Sequence, residues 1–167
     1  MITWEKALLG IIIITFGGFC GYLFTKKYRR RKLFFMQFYT FNERFLNEIS
    51  YYRRPLSQFL TQYSYKGEYA TLLETYFENI NEPEKFQRIL FEKDALDFLK
   101  QEEKNFVFDY FTALGKGDSH SQKNCYNAQK ERLILLRNEA ENTCRKYGDL
   151  YIKLGILCGL LLLILMI

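Results

Sequence analysis

Residues 34–52, FFMQFYTFNERFLNEISYY, decide the fold. Within them Phe34, Phe38, Phe41, Phe45, Ile49 and Tyr52 recur at steps of 4, 3, 4, 4 and 3. That spacing is one face of an α-helix, whereas a half-buried strand would alternate at every second residue. The stripe predicts a long first helix that ends near Arg53, because the residue before Pro55 is disfavoured in the α region. Its aromatic side chains read first as core. Phe35 and Tyr39 lie off the stripe, and a second aromatic face on this helix is a surface that suits a partner.

The same period returns downstream. A shorter helix is predicted across Ser57 to Tyr63, and a third carries Tyr69, Leu72, Leu73, Tyr76 and Ile80. Asn79-Ile80-Asn81-Glu82-Pro83 reads as a turn, with Pro83 opening the next helix, where its missing N–H costs nothing. Phe86, Leu90, Phe91, Leu96, Leu99, Phe106, Tyr110 and Leu114 carry one or two further helices, with a break near Asp94. Gly115 is placed to end that stretch in the left-handed conformation. Lys116-Gly117-Asp118 is then a tight link, and Asp118 or Ser119 caps the last helix.

On that last helix Leu133, Leu136, Ala140, Cys144, Tyr147, Tyr151 and Leu154 step by 3, 4, 4, 3, 4 and 3. The seam runs without a phase break into a C-terminal apolar block. Gly148 costs roughly 1 kcal/mol of local helix stability relative to alanine, which leaves room for a hinge. The expected fold is all-α: an antiparallel bundle of about five or six helices, flanked by an N-terminal and a C-terminal transmembrane helix.

The flanks follow from two uncharged blocks. Ala7 to Phe24 holds 18 residues, roughly 27 Å of helix against a hydrocarbon layer of about 30 Å. Leu154 to Ile167 holds 14; beginning at Leu150 makes 18 and includes Lys153, whose ammonium can reach the interface while its stem stays apolar. Lys26, Lys27, Arg29, Arg30, Arg31 and Lys32 follow the first block, while Glu5 and Lys6 before it cancel. A cleaved signal peptide has the reverse order and a small-residue cleavage site, so the block reads as an uncleaved anchor. Basic residues stay on the cytoplasmic side, and Arg145, Lys146 and Lys153 flank the second block on that same side. The predicted division is an anchor at 1–25, a basic juxtamembrane segment at 26–32, a cytoplasmic helical domain at 33–149 and an anchor at 150–167. Both termini are then outside.

Charge restricts the partners. The chain carries 24 basic and 19 acidic residues, net +5, and the basic run alone supplies six positive charges. The remainder is close to neutral, which argues against a nucleic-acid-binding face. The run itself has two compatible readings, a contact with anionic lipid headgroups and a plain topology signal. Each apolar block also holds a Gly-x-x-x-Gly, Gly17 with Gly21 and Gly155 with Gly159. Small residues at that spacing let helix backbones approach closely, either within one chain or between copies in an oligomer.

Catalytic chemistry finds no purchase. His120 is the only histidine, so no histidine pair can hold a metal or relay a proton. Gly115-Lys116-Gly117-Asp118-Ser119 lacks the length and the Gly-Lys-Ser/Thr ending of a phosphate loop. Glu102 and Glu103 are adjacent and point about 100° apart on a helix, a poor acid/base pair. Cys20, Cys125, Cys144 and Cys158 have no metal-like spacing and read as small packing residues. No catalytic, metal-binding or cofactor-binding residue is expected.

Glu48-Ile49-x-Tyr51-x-x-x-Pro55-Leu56, then Leu114-Gly115-x-x-Asp118-x-x-Ser121-Gln122, and Leu154-Gly155 opening the last apolar run, resemble the stage III sporulation protein AB family of endospore-forming bacteria. The order and spacing of these stretches, with the anchor and basic run before them, extend the resemblance over the whole chain. Arg53-Arg54 before Pro55 departs from the pattern. The resemblance implies a non-enzymatic protein of the mother-cell membrane facing the forespore, required for endospore formation. Its domain would be similar to the cytoplasmic domains of type II secretion and type IV pilus platform proteins. It would dock a cytoplasmic ATPase, stage III sporulation protein AA, beneath a secretion-like channel alongside other stage III membrane components. Glu48, Tyr51, Asp118 and Gln122 are then the candidate partner-binding residues. The alternative is a membrane-tethered adaptor or regulator unrelated to sporulation.

Overall fold

The structure, a computed structural model, describes residues 4–52, 55–92, 96–116 and 118–166. Arg53, Arg54, Asp94 and Gly117, where a helix end, a helix break and part of a link were expected, lie outside the described residues. Among the described residues six α-helices follow in order: α1 (Trp4–Asn47), α2 (Leu56–Gln62), α3 (Glu68–Glu78), α4 (Pro83–Phe91), α5 (Gln101–Ala113) and α6 (Ser119–Met166). Among the described residues there is no strand. The chain gathers into two units, Arg30–Asn138 and a helix pair formed by α1 as far as Arg29 and α6 from Glu139 onward.

In the Arg30–Asn138 unit the stripe of α1 is the centre of the core, with Phe34, Phe38, Phe41 and Phe45 all buried. Tyr69 and Tyr76 of α3, Phe86 of α4, Phe106, Tyr110 and Phe111 of α5 and Tyr126 of α6 close around it. The ring of Phe38 meets those of Tyr69 at 5.4 Å, Tyr110 at 4.7 Å and Phe111 at 5.9 Å. Offset and edge-on pairs of this kind add to the gain from burial alone. Burial also raises the phenol pKa values, pushing Tyr76 up to about 12, so these side chains act as neutral apolar bodies.

Helix directions differ from a purely antiparallel arrangement. Arg31 pairs with Glu103 and Asn42 with Tyr110, so α1 and α5 run the same way. The partners of α6 ascend as α1 descends, with Tyr126 beside Phe45 and Arg137 over Tyr39; α6 is antiparallel to α1. The short helices α2 to α4 make parallel neighbours possible, because they carry the chain back between two long elements. One buried polar cluster fixes the register. Tyr110 donates its hydroxyl to Asn42 Oδ1 at 2.9 Å, and Asn42 Nδ2 donates to the Tyr126 carbonyl at 3.4 Å.

Two sequence expectations for α1 change. The helix is α-form only to Asn47 and widens into a π-helical turn at Glu48–Tyr52 before Pro55. Its second aromatic face is also already covered: Phe35 is fully buried with the Arg31 guanidinium 5.5 Å over its ring, and Arg137 sits 4.5 Å over Tyr39. Elsewhere Pro83 is at the first turn of α4 as expected. At Gly148, where the sequence leaves room for a hinge, α6 runs on as helix.

The helix pair is organised in the opposite sense. Gly17 and Gly21 of α1 pack directly on the backbone of α6 at Gly155 and Tyr151, while large apolar side chains point outward: Phe16 is 67 % exposed, Phe24 67 %, Leu157 58 % and Ile164 72 %. Among the described residues no helix is long and apolar enough to cross a membrane. Side chains 7–11, 13, 14, 162, 163 and 165–167 lie outside the description, so each apolar block is described only in part.

Candidate partner-docking site

The stretches Glu48–Leu56 and Leu114–Gln122 are far apart in sequence and meet at one end of the bundle. Gly115 follows α5 with φ +76, and a Cβ there would stand 3.0 Å from Leu56 Cδ2. Glycine is needed twice over, for the left-handed backbone and for that approach. Asp118 then starts α6: its Oδ2 accepts from the backbone N–H groups of His120 at 3.1 Å and Ser121 at 3.2 Å. These bonds, led by the one from the Ser121 hydroxyl, hold its carboxyl below the usual carboxylate range. Of the two expected caps, Asp118 is thus the one that works.

The four candidate residues fall into different roles. Tyr51 is 79 % exposed on the π-helical turn, a large ring presented to solvent. Asp118 is exposed but committed to its cap, and Gln122 is half-buried on the first turns of α6. Glu48 is 4 % exposed, which corrects its expected place in the interface. It lies three residues beyond Phe45 and seven beyond Phe41, and so turns inward with them.

The basic run also divides. Lys26, Lys27 and Arg29 are exposed, and Lys32 is half-buried. Arg30 turns to carboxylates, donating to Glu68 at 2.5 Å and Asp97 at 2.8 Å with its guanidinium over the Phe98 ring. It thereby clamps the loop before α5, where Leu96 holds the strained φ of +50. Arg31 is buried against Glu103. The headgroup reading does not extend to Arg30 and Arg31, whose charges are paired with carboxylates of the bundle.

Both Gly-x-x-x-Gly patterns are used, and within one chain. A Cβ on Gly17 would collide with the Gly155 carbonyl and stand 3.6 Å from the Gly159 nitrogen; one on Gly21 would stand 2.5 Å from the Tyr151 carbonyl. Gly155→Leu is therefore expected to separate the helices at a cost of about 1–3 kcal/mol, seen as faster amide hydrogen exchange on both sides of the contact. Gly148→Ala, where nothing lies within 4 Å of the added methyl, should leave exchange unchanged or slow it. Equal exchange in the two variants would remove the glycine contact from the account.

Among the described residues no group of three or more His, Cys, Asp or Glu is placed to hold a metal ion. The class is an all-α bundle whose long first and last helices also form a glycine-packed pair with an apolar exterior. The model of the stage III sporulation protein AB family matches residues 6–167, and the chain belongs to that family. Its role is accordingly in sporulation, which sets aside the adaptor unrelated to sporulation. No curated protein and no solved structure shows a significant match to the chain.

Proposed function

We propose that the protein is a non-enzymatic membrane scaffold of the sporulation channel complex, holding its helical domain in the mother-cell cytoplasm as a dock for the stage III sporulation ATPase. The observation that carries this is the inverted helix pair, with glycine inside and Phe16, Phe24, Leu157 and Ile164 outside. Exposing those side chains to water costs about 25 cal/mol per Å², whereas lipid tails remove that cost and leave close backbone packing to hold the helices. Segments 1–25 and 150–167 are the anchors in this reading, and the flanking basic residues place both termini outside. Other stage III membrane components meet the protein within the envelope.

The docking surface is the end of the bundle where the two family stretches meet, with Tyr51 as its anchor. An exposed tyrosine on a rigid turn suits a hot spot, because it buries a large area with little loss of side-chain freedom. The test is binding of the purified ATPase to the full chain in lipid nanodiscs. Saturable binding is expected, weakened about tenfold or more by Tyr51→Ala, with Gln122→Ala contributing a smaller loss and neither variant melting earlier. Unchanged affinity in a folded Tyr51→Ala protein would move the interface elsewhere. No binding by the wild type would overturn the docking role.

A further inference from the structure

The helix pair carries a ring of cations that the bundle does not use. The glycine contacts fix the register of α1 against α6, and stacked rings continue it. Tyr28 lies 5.4 Å from Tyr147 and 6.2 Å from Tyr151, with interplanar angles of 19° and 16°, and Phe24 lies 6.0 Å from Tyr151. Residues 26–29 of α1 and 145–151 of α6 therefore share one level. Lys26, Lys27 and Arg29 are exposed there from α1, and Arg145 and Lys146 from α6, with Lys153 just beyond.

Among the described residues none of these six is paired with a carboxylate, in contrast to Arg30 and Arg31. Asp149 is the one acidic side chain at their level, while Glu139 and Glu141 lie further along α6. Arg29 sits over the Tyr22 ring at 5.1 Å, and the Lys146 ammonium lies 5.5 Å from the Tyr147 ring. Directly next in order come the exposed apolar side chains Leu23 and Phe24 on one helix and Leu150 and Leu154 on the other. Cations interleaved with tyrosines, beside bare hydrocarbon, are the pattern of a membrane–water interface.

We infer that this two-helix collar binds the anionic headgroups of phospholipids and gathers them around the anchors. The inference rests on the membrane reading above and adds to it a lipid preference and the residues that set it. A topology signal alone needs positive charge anywhere near the first span. The collar instead draws on both helices at one level and keeps its charges free of carboxylates. Each such residue near an anionic surface favours it by roughly fivefold, and the attraction weakens with salt.

The test reconstitutes the full chain into phosphatidylcholine vesicles containing a minority of phosphatidylglycerol and counts retained lipids by native mass spectrometry. Phosphatidylglycerol should be enriched over its bulk fraction. The enrichment should fall about tenfold or more in K26Q/K27Q/R29Q/K146Q, yet persist in K66Q/K85Q/K116Q/K123Q, which removes the same charge from exposed positions of the bundle. Equal loss in both variants would reduce the effect to net charge and overturn the collar. Alkaline extraction separates the two levels of the argument. A chain that resists extraction but shows no lipid preference overturns the collar alone, and a chain that extracts overturns the membrane reading beneath it.

Discussion

Arg31→Met is expected to destabilise the bundle by about 3–5 kcal/mol, although it exchanges one long side chain for another. Arg31 and Glu103 are 7 % and 4 % exposed, with Nη2 to Oε1 at 2.5 Å and Nε within 3.1 Å of the same oxygen. Glu103 also accepts from the Lys100 N–H at 2.9 Å and so caps α5. Methionine restores the apolar stem and the contact with Phe35 but leaves a carboxylate in the core without its guanidinium. Desolvating an uncompensated charge costs more than the pair itself contributes. The double variant Arg31→Met/Glu103→Leu removes both charges and should recover most of the loss, less the cap at Lys100. Urea titrations of the full chain in nanodiscs, followed by helical circular dichroism, measure both variants. A double variant as unstable as the single one would mean that packing around Arg31, not its charge, holds α1 to α5.

That pair shows where sequence reading succeeded and where it stopped. The stripe from Phe34 to Tyr52 was legible because six apolar residues obey one period, and all-α architecture followed. Pro83 and Gly115 were legible because each has a single local use. Arg31 was not: it sits three residues before Phe34 and seven before Phe38, on the same stripe, but its place in a basic run hid that. Glu103 precedes Phe106 by three and Tyr110 by seven, and Glu48 follows Phe45 by three. All three are charges in register with an apolar face, and that phase was the available signal of burial. What no local pattern could supply was the partner. Gly17 and Gly155 each announce a close approach, yet only the fold brings these two distant positions together. The meeting of Gly115 with Leu56 is hidden in the same way, so the candidate docking end became visible only once α2 and the α5–α6 turn were placed.

Phe38→Ala is expected to cost about 3–5 kcal/mol, enough to consume much of the roughly 5–15 kcal/mol that holds a domain folded. Phe38 is fully buried and its ring contacts Phe34, Tyr69, Phe106, Tyr110 and Phe111, so one truncation opens a cavity among α1, α3 and α5. Those neighbours are large rings, which collapse poorly into a void of another shape, and this places the cost toward the upper end. Phe38→Leu keeps most of the volume and should lose far less. In sporulating cells the consequence separates structure from docking. Phe38→Ala should lower heat-resistant spore counts together with the amount of the protein. Tyr51→Ala, exposed on its turn, should lower spore counts while the protein stays at normal abundance. Normal spore counts with Tyr51→Ala at normal abundance would show that the exposed end of the bundle is not where the protein does its work. Normal abundance of Phe38→Ala would show instead that the helix pair, rather than the aromatic core, sets the stability of the whole chain.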